Sequence, residues 1–239
     1  MKKKSSKKKI SKYKLTEAVS VVSHQLKTPL SAIKGYLEVV LLGDLGKLNK
    51  EQKEYLENVL ENTKQMINLV KDLLDVARIE AGQMELKPEP TDLAKIAKEM
   101  VNEFSSLARA KNCELSFEVL DKLPLLNIDP VKIKQVMVNI ISNAIFYNKR
   151  KGQVKVSLSR RGKRAIFCCQ DTGVGIVEEE KDKIFTKFYR SERVVAIATG
   201  GSGLGLFISK AIIEKSGGKI WFKSKEGKGS TFCFSLPIK

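Results

Sequence analysis

The single histidine of the chain, His24, sits in Ser23-His24-Gln25-Leu26-Lys27-Thr28-Pro29-Leu30. An imidazole is weakly basic near neutrality, and its unprotonated nitrogen can attack an electrophile such as a phosphoryl group. Three other groups of residues could do chemistry with it. Gln135, Asn139 and Asn143 recur at i, i+4 and i+8, so a helix would place them on one face. Carboxamide oxygens are hard ligands of the kind Mg²⁺ takes beside water and phosphate oxygens; a solvated polar face would produce the same stripe. Asp171-Thr172-Gly173-Val174-Gly175 follows a strand-like run. An aspartate at a strand end can accept a hydrogen bond from an exocyclic amine such as that of adenine, and the glycines let backbone approach a flat base. Gly201-Ser202-Gly203-Leu204-Gly205-Leu206 opens a helical run, whose first N–H groups suit phosphate. No Gly-x4-Gly-Lys-Ser/Thr occurs, which excludes a P-loop.

Two long helices must carry His24. From Thr16 to Leu42, Val19, Val22, Leu26, Leu30, Ile33, Leu37 and Val40 fall three or four apart. Pro29 should bend this helix, and Gly43-Asp44-Leu45-Gly46 should end it. Asn49 is placed to cap a second helix running to about Ala81, with Leu56, Val59, Thr63, Met66, Val70, Leu73 and Ala77 as its seam. A lone hairpin leaves such a seam wet. Two hairpins make a four-helix bundle, so a homodimer is expected. Gly82 ends the second helix, and Lys87-Pro88-Glu89-Pro90 reads as a linker. Beyond Thr91, helices at about 92–111, 130–147 and 203–216 alternate with strands at 113–120, 153–160, 163–170, 219–224 and 230–236, a mixed α/β layer domain. The expected class is α+β: a basic tail over 1–15, expected to be disordered, a dimerising helical hairpin over 16–86, and an α/β domain over 87–239.

Composition narrows the setting. The chain has 239 residues and a hydrophobic fraction of 42%, enough for a packed core in each domain. The net charge of +17 is uneven: residues 1–15 hold eight lysines and no acid. Such a tail either contacts anionic lipid or nucleic acid or stays solvated. No apolar run reaches the ~20 residues that cross a bilayer. A cytoplasmic location is expected, with a separate sensor protein as a partner. The four cysteines, Cys113, Cys168, Cys169 and Cys233, form no C-x-x-C pair, so reduced, partly buried thiols are expected.

Taken in order, these motifs resemble those of the sensor histidine kinases of two-component systems, over about residues 16–239. Ser23 to Leu30 is similar to their phosphoacceptor box. Asp129-x5-Gln135-x3-Asn139-x3-Asn143-Ala144 is similar to the N box. Asp171-x-Gly173-x-Gly175 is similar to the first glycine box, and Ile184-Phe185-x-x-Phe188-Tyr189-Arg190 to the F box. Gly201-x-Gly203-Leu204-Gly205-Leu206 is similar to the second glycine box, and Gly227-x-Gly229-Ser-x-Phe232 to the closing strand.

The resemblance implies a Bergerat-type ATP-binding sandwich of the GHKL superfamily, with ATP and Mg²⁺ as cofactors and the loop between Arg190 and Gly200 as its lid. It implies autophosphorylation on His24 and transfer to an aspartate of a response regulator receiver domain, with regulator phosphatase activity in some members. By the same resemblance Asn139 ligates Mg²⁺, Asp171 reads adenine and Arg190 approaches the γ-phosphate. Asn143, Tyr147, Gly173, Gly175, Phe188, Gly201, Gly203, Leu204, Gly205 and Thr231 complete the nucleotide site. Thr28 would orient water for dephosphorylation. Two positions depart from the pattern. Gln25 stands where the family has Glu or Asp, and a carboxamide cannot remove a proton near neutral pH. Phe146 stands where a phosphate-reaching Lys is common, leaving Lys149 or Arg150 as substitutes. These departures keep open an ATP-binding adaptor without transferase activity. A GHKL chaperone or DNA-repair ATPase is the remote alternative, since it does not need a histidine on a Pro-kinked hairpin.

Overall fold

Between Lys2 and Leu42 only Pro29 opposes a helix, and a single α1 spans Lys2–Leu42 in the computed structural model, which describes residues 2–191 and 201–238. The basic segment expected to be a disordered tail is therefore helical in its backbone. Lysine is a good helix former, and residues 2–28 contain no glycine or proline. Pro29 has no N–H for the Gln25 carbonyl one turn earlier, so the ladder is broken one residue from His24. Gly43, at φ +85°, ends α1. The second helix, α2 (Lys50–Glu80), opens as expected on Asn49. The Asn49 side chain accepts from the Gln52 N–H at 2.8 Å, and the Gln52 side chain accepts from the Asn49 N–H at 3.0 Å, a reciprocal capping box. Gly82, at φ +71°, follows its end.

The chain divides into two compact units, the first reaching Met84 and also taking in Gly201 and Ser202, the second beginning at Glu85. In the helical unit α1 packs on α2. Of the expected seam Leu30 and Thr63 are buried, but Val22, Leu26, Ile33, Val59, Met66 and Leu73 are 40–53% exposed. Among the described residues no helix is long and apolar enough to cross a membrane.

The second unit contains β1 (Glu89–Thr91), α3 (Leu93–Ala110), β2 (Glu114–Val119), β3 (Leu126–Ile128), α4 (Pro130–Phe146), β4 (Gln153–Arg161), β5 (Arg164–Asp171), α5 (Gly205–Lys215), β6 (Lys219–Lys225) and β7 (Gly229–Pro237). A five-stranded sheet runs β2-β4-β5-β7-β6; β2 is parallel to β4 and the other neighbours are antiparallel. The helices α3, α4 and α5 cover the sheet. Alternation sorts the sides. Ala165, Phe167, Cys169 and Asp171 of β5 are buried, whereas Ile166 and Cys168 are half-buried and Gln170 is exposed. Phe167 stacks on Phe234 of β7 at 4.8 Å.

Two expectations are corrected. Glu89 and Pro90 of the expected linker form β1 with Thr91, and among the described residues β1 pairs with β3 alone; proline is tolerated there because an edge strand leaves one side's donors unpaired. The cysteines are not all reduced: Cys168 and Cys233 form a disulfide, while Cys113 and Cys169 are free and buried. The two partners lie 65 residues apart in sequence and directly opposite each other across β5 and β7. Only strand register brings them together, so no local spacing announces them.

Candidate active site

The Asp171 turn joins the last turn of α4 to the β6–β7 connection. Asp171 is 8% exposed. Its Oδ1 accepts from the Gly173 N–H at 2.8 Å and the Ser230 N–H at 3.1 Å. Its Oδ2 has no hydrogen-bond partner among the described residues, so one acceptor remains for a ligand. Burial pushes the carboxyl up to about 6 against the pull of those two donors. The glycines are demanded by contact. A Cβ on Gly173 would meet the Tyr147 carbonyl at 2.2 Å, and one on Gly175 would meet the Lys225 carbonyl at 2.2 Å. The Val174 N–H donates to that same Tyr147 carbonyl at 3.1 Å.

The helix α4 is the spine of the site. Asp129 caps it, accepting from Lys132 N–H on Oδ1 and Lys87 N–H on Oδ2, and Pro130 occupies its first turn. Its buried side carries Ile133, Val136, Met137, Ile140, Ile141 and Ala144; Gln135, Asn139, Asn143 and the C-cap Tyr147 form a half-buried stripe. Asn139 Nδ2 donates to the Gly205 carbonyl at 3.1 Å and to Ser209 Oγ at 3.3 Å. This turns Oδ1, which has no partner among the described residues, into the available hard ligand. One such oxygen fits a cation like Mg²⁺, which completes its shell with water and substrate phosphate. Gly205 lies so close that a Cβ there would be 3.1 Å from Asn139 Cγ. At this point α5 begins, without a side-chain cap, so its first N–H groups are left for an anion. Leu204 beside it is fully buried.

Arg190 lies near Tyr147: burial raises the phenol's pKa, and the Arg190 charge partly offsets the rise. Phe188 has φ +61°, unusual for a non-glycine residue. Its backbone abuts Gly203, where a Cβ would come within 2.9 Å. Gly201 has φ +127°. Residues 192–200, most of the expected lid, lie outside the described residues. Phe146 is 40% exposed, with Lys111 Nζ 5.5 Å over its ring. Lys149, one suggested substitute for the missing lysine, donates from Nζ to the Gly227 carbonyl in the β6–β7 turn.

Thr231 lines one shallow cavity with Asp171, Ser230 and Lys223, and makes no hydrogen bond to Asp171 among the described residues. It pairs with Gln170, and directly opposed residues share a face, so it lies on the side away from the Phe167 row. Ser230 supplies a hydrogen bond to Asp171 through its backbone N–H. A main-chain donor carries no residue-type signal, so the sequence did not single out Ser230 as a site residue.

In the helical unit, His24 lies in α1 one turn before Thr28, with Gln25 and Thr28 exposed. The His24 side chain lies outside what is described.

Comparison with known proteins then decides the family. Residues 14–82 match the His Kinase A (phospho-acceptor) domain, and residues 128–239 match the histidine kinase-, DNA gyrase B- and HSP90-like ATPase family. The chain belongs to the sensor histidine kinases of two-component systems. This kinase chain is 33% identical to the circadian input-output histidine kinase CikA of Synechococcus elongatus, over 92% of itself and 30% of CikA. It is 34% identical to the sensor histidine kinase WalK of Bacillus subtilis, over 93% of itself and 36% of WalK. It thus spans about a third of the length of these relatives. The structure of full-length ShkA, solved with AMPPNP, superimposes with a TM-score of 0.76 at 28% identity, covering 93% of this kinase chain and 46% of ShkA.

Proposed function

We propose that the α/β unit of this kinase binds ATP with Mg²⁺, that His24 attacks the γ-phosphorus as its bond to the β–γ bridging oxygen breaks and ADP leaves, and that the phosphoryl group then passes to an aspartate carboxylate of a response regulator, freeing His24. The observation that carries the reading is the Asp171 bracket. A buried carboxylate spends one oxygen on two backbone donors and keeps the other for an amine. Asp171 would accept from the adenine amine, and Gly173 and Gly175 would let the base lie against backbone. Asn139, Asn143 and Tyr147 would line the phosphate side from α4, with Gly201, Gly203, Leu204 and Gly205 delivering the uncapped start of α5. Asn139 Oδ1 would hold Mg²⁺, and the cation would neutralise phosphate charge. Arg190, close to Tyr147, would approach the γ-phosphate as charge develops. Phe188 would support Gly203 through its backbone. Positioning and charge neutralisation supply most of phosphoryl-transfer catalysis, so little further machinery is needed.

Gln25 would fix the imidazole orientation without removing its proton. Thr28, one turn on, would orient water for dephosphorylating the regulator. The exposed half of the α1–α2 seam would be covered by a second copy of the hairpin, making a homodimer. The test is incubation with γ-labelled ATP: label must appear on the wild type and be absent from His24→Gln. A labelled His24→Gln protein would overturn the assignment.

A further inference from the structure

We propose that Cys168 and Cys233 form a redox-responsive pair: a dithiol reductant opens their bond in the folded kinase, and opening it weakens nucleotide binding. The proposal rests on the Asp171 bracket being the nucleotide site.

The bond joins β5 to β7, with the two Cα atoms 4.2 Å apart at directly opposed positions. Cys168 is flanked across the strands by Ser157 and Cys233, and Cys233 by Trp221. All four lie on the sheet face away from the stacked Phe167 and Phe234. Cys168 is half-buried and Cys233 is 6% exposed, so Cys168 carries the sulfur a reductant reaches first. The remaining thiols are unsuited to exchange. Cys113 and Cys169 are buried, and burial pushes both thiols up, away from the reactive thiolate.

The same two strands end in the Asp171 bracket. Three residues beyond Cys168 is Asp171; three before Cys233 is Ser230, whose N–H holds Asp171 Oδ1. The cross-link thus sits behind both jaws. One thiolate of the dithiol attacks Cys168 Sγ, and Cys233 leaves as a thiolate. The second thiol of the reductant then attacks its own half of the mixed disulfide and releases Cys168. The reductant departs as a disulfide, and its two protons end on the cysteines. The hydrogen-bonded ladder between β5 and β7 remains, so the domain stays folded while the bracket loses its covalent tie.

The test uses the full chain, oxidised or treated with dithiothreitol under native conditions, with iodoacetamide mapping of thiols and calorimetry of AMPPNP binding. Reduction should expose Cys168 and Cys233 to alkylation, leave Cys113 and Cys169 unmodified, and raise the AMPPNP Kd at least threefold. The Cys168→Ser/Cys233→Ser protein should show the weaker Kd and no response to reductant, while Cys113→Ser should respond like the wild type. Unlinked cysteines before reduction, a bond reducible only after denaturation, or a Kd change below threefold would each overturn the proposal. Redox-insensitive AMPPNP binding leaves the nucleotide reading standing; no binding in either state removes both.

Discussion

Burial and two backbone donors compete over the Asp171 carboxyl, and burial wins, placing its pKa at about 6 against an ordinary 3.8. The folded state therefore prefers the proton. The stabilisation that protonation contributes is complete below about 3.8 and is lost as pH rises through about 6. Ligand recognition runs the other way, because a charged acceptor for the adenine amine exists only above that pH. AMPPNP affinity should fall as pH drops below about 6, and the fall should be shallower in Asp171→Asn, since the ligand's own titration is common to both. At neutral pH Asp171→Asn should bind about tenfold more weakly or worse, because a hydrogen bond to a charged group is worth roughly 1.5–3 kcal/mol. Calorimetry from pH 5 to 8 checks both; equal curves would remove Asp171 from the site. Gln25 makes the complementary case. A positioned base is typically worth ~10²–10⁴-fold, so Gln25→Glu should accelerate phosphoryl transfer to His24 in single-turnover assays while leaving ATP affinity unchanged. A rate within about twofold of wild type would mean that proton removal is not what limits the step. Residue types announced Asp171 and Asn139 because their motifs are local. Ser230 was hidden because it acts through its backbone N–H, which no residue type announces.

At the scale of elements, α2 and α4 were legible because they carry their own boundary signals, Asn49 at the start of α2, Gly82 after it, and Asp129-Pro130 at the start of α4; the start of α1 was not, since its lysines read as a tail. The strands β1 and β3 were not, since three residues carry no readable period and their pairing is set by chain folding alone. The Cys168–Cys233 bond escaped for the same reason. Close packing of elements gives another prediction. The first glycine-box turn lies against the end of α4 so tightly that Gly173→Ala places a Cβ 2.2 Å from the Tyr147 carbonyl. Relief by backbone movement should cost about 1–3 kcal/mol and displace Asp171 from its donors. The variant should melt several degrees lower, retain its far-UV circular dichroism and bind AMPPNP poorly. Wild-type affinity in that variant would show that the tight turn is irrelevant to the ligand.

For the whole molecule, the decisive unfinished surface is the stripe of Val22, Leu26, Ile33, Val59, Met66 and Leu73, which the single chain leaves 40–53% exposed. Contiguous exposed apolar residues on a hairpin call for another apolar face. The full chain should sediment as a dimer, and Leu26→Glu with Leu73→Glu should shift it to monomer while AMPPNP binding by the α/β unit persists. A wild-type monomer at micromolar concentration would contradict the bundle. The central claim is that the lone histidine of the helical unit receives the phosphoryl group from nucleotide held by the other. Its most direct test is phosphate-linkage analysis of the full chain after incubation with γ-labelled ATP. The account predicts acid-labile, base-stable label confined to the peptide containing His24 and lost in His24→Gln. Acid-stable label that survives in His24→Gln would contradict it.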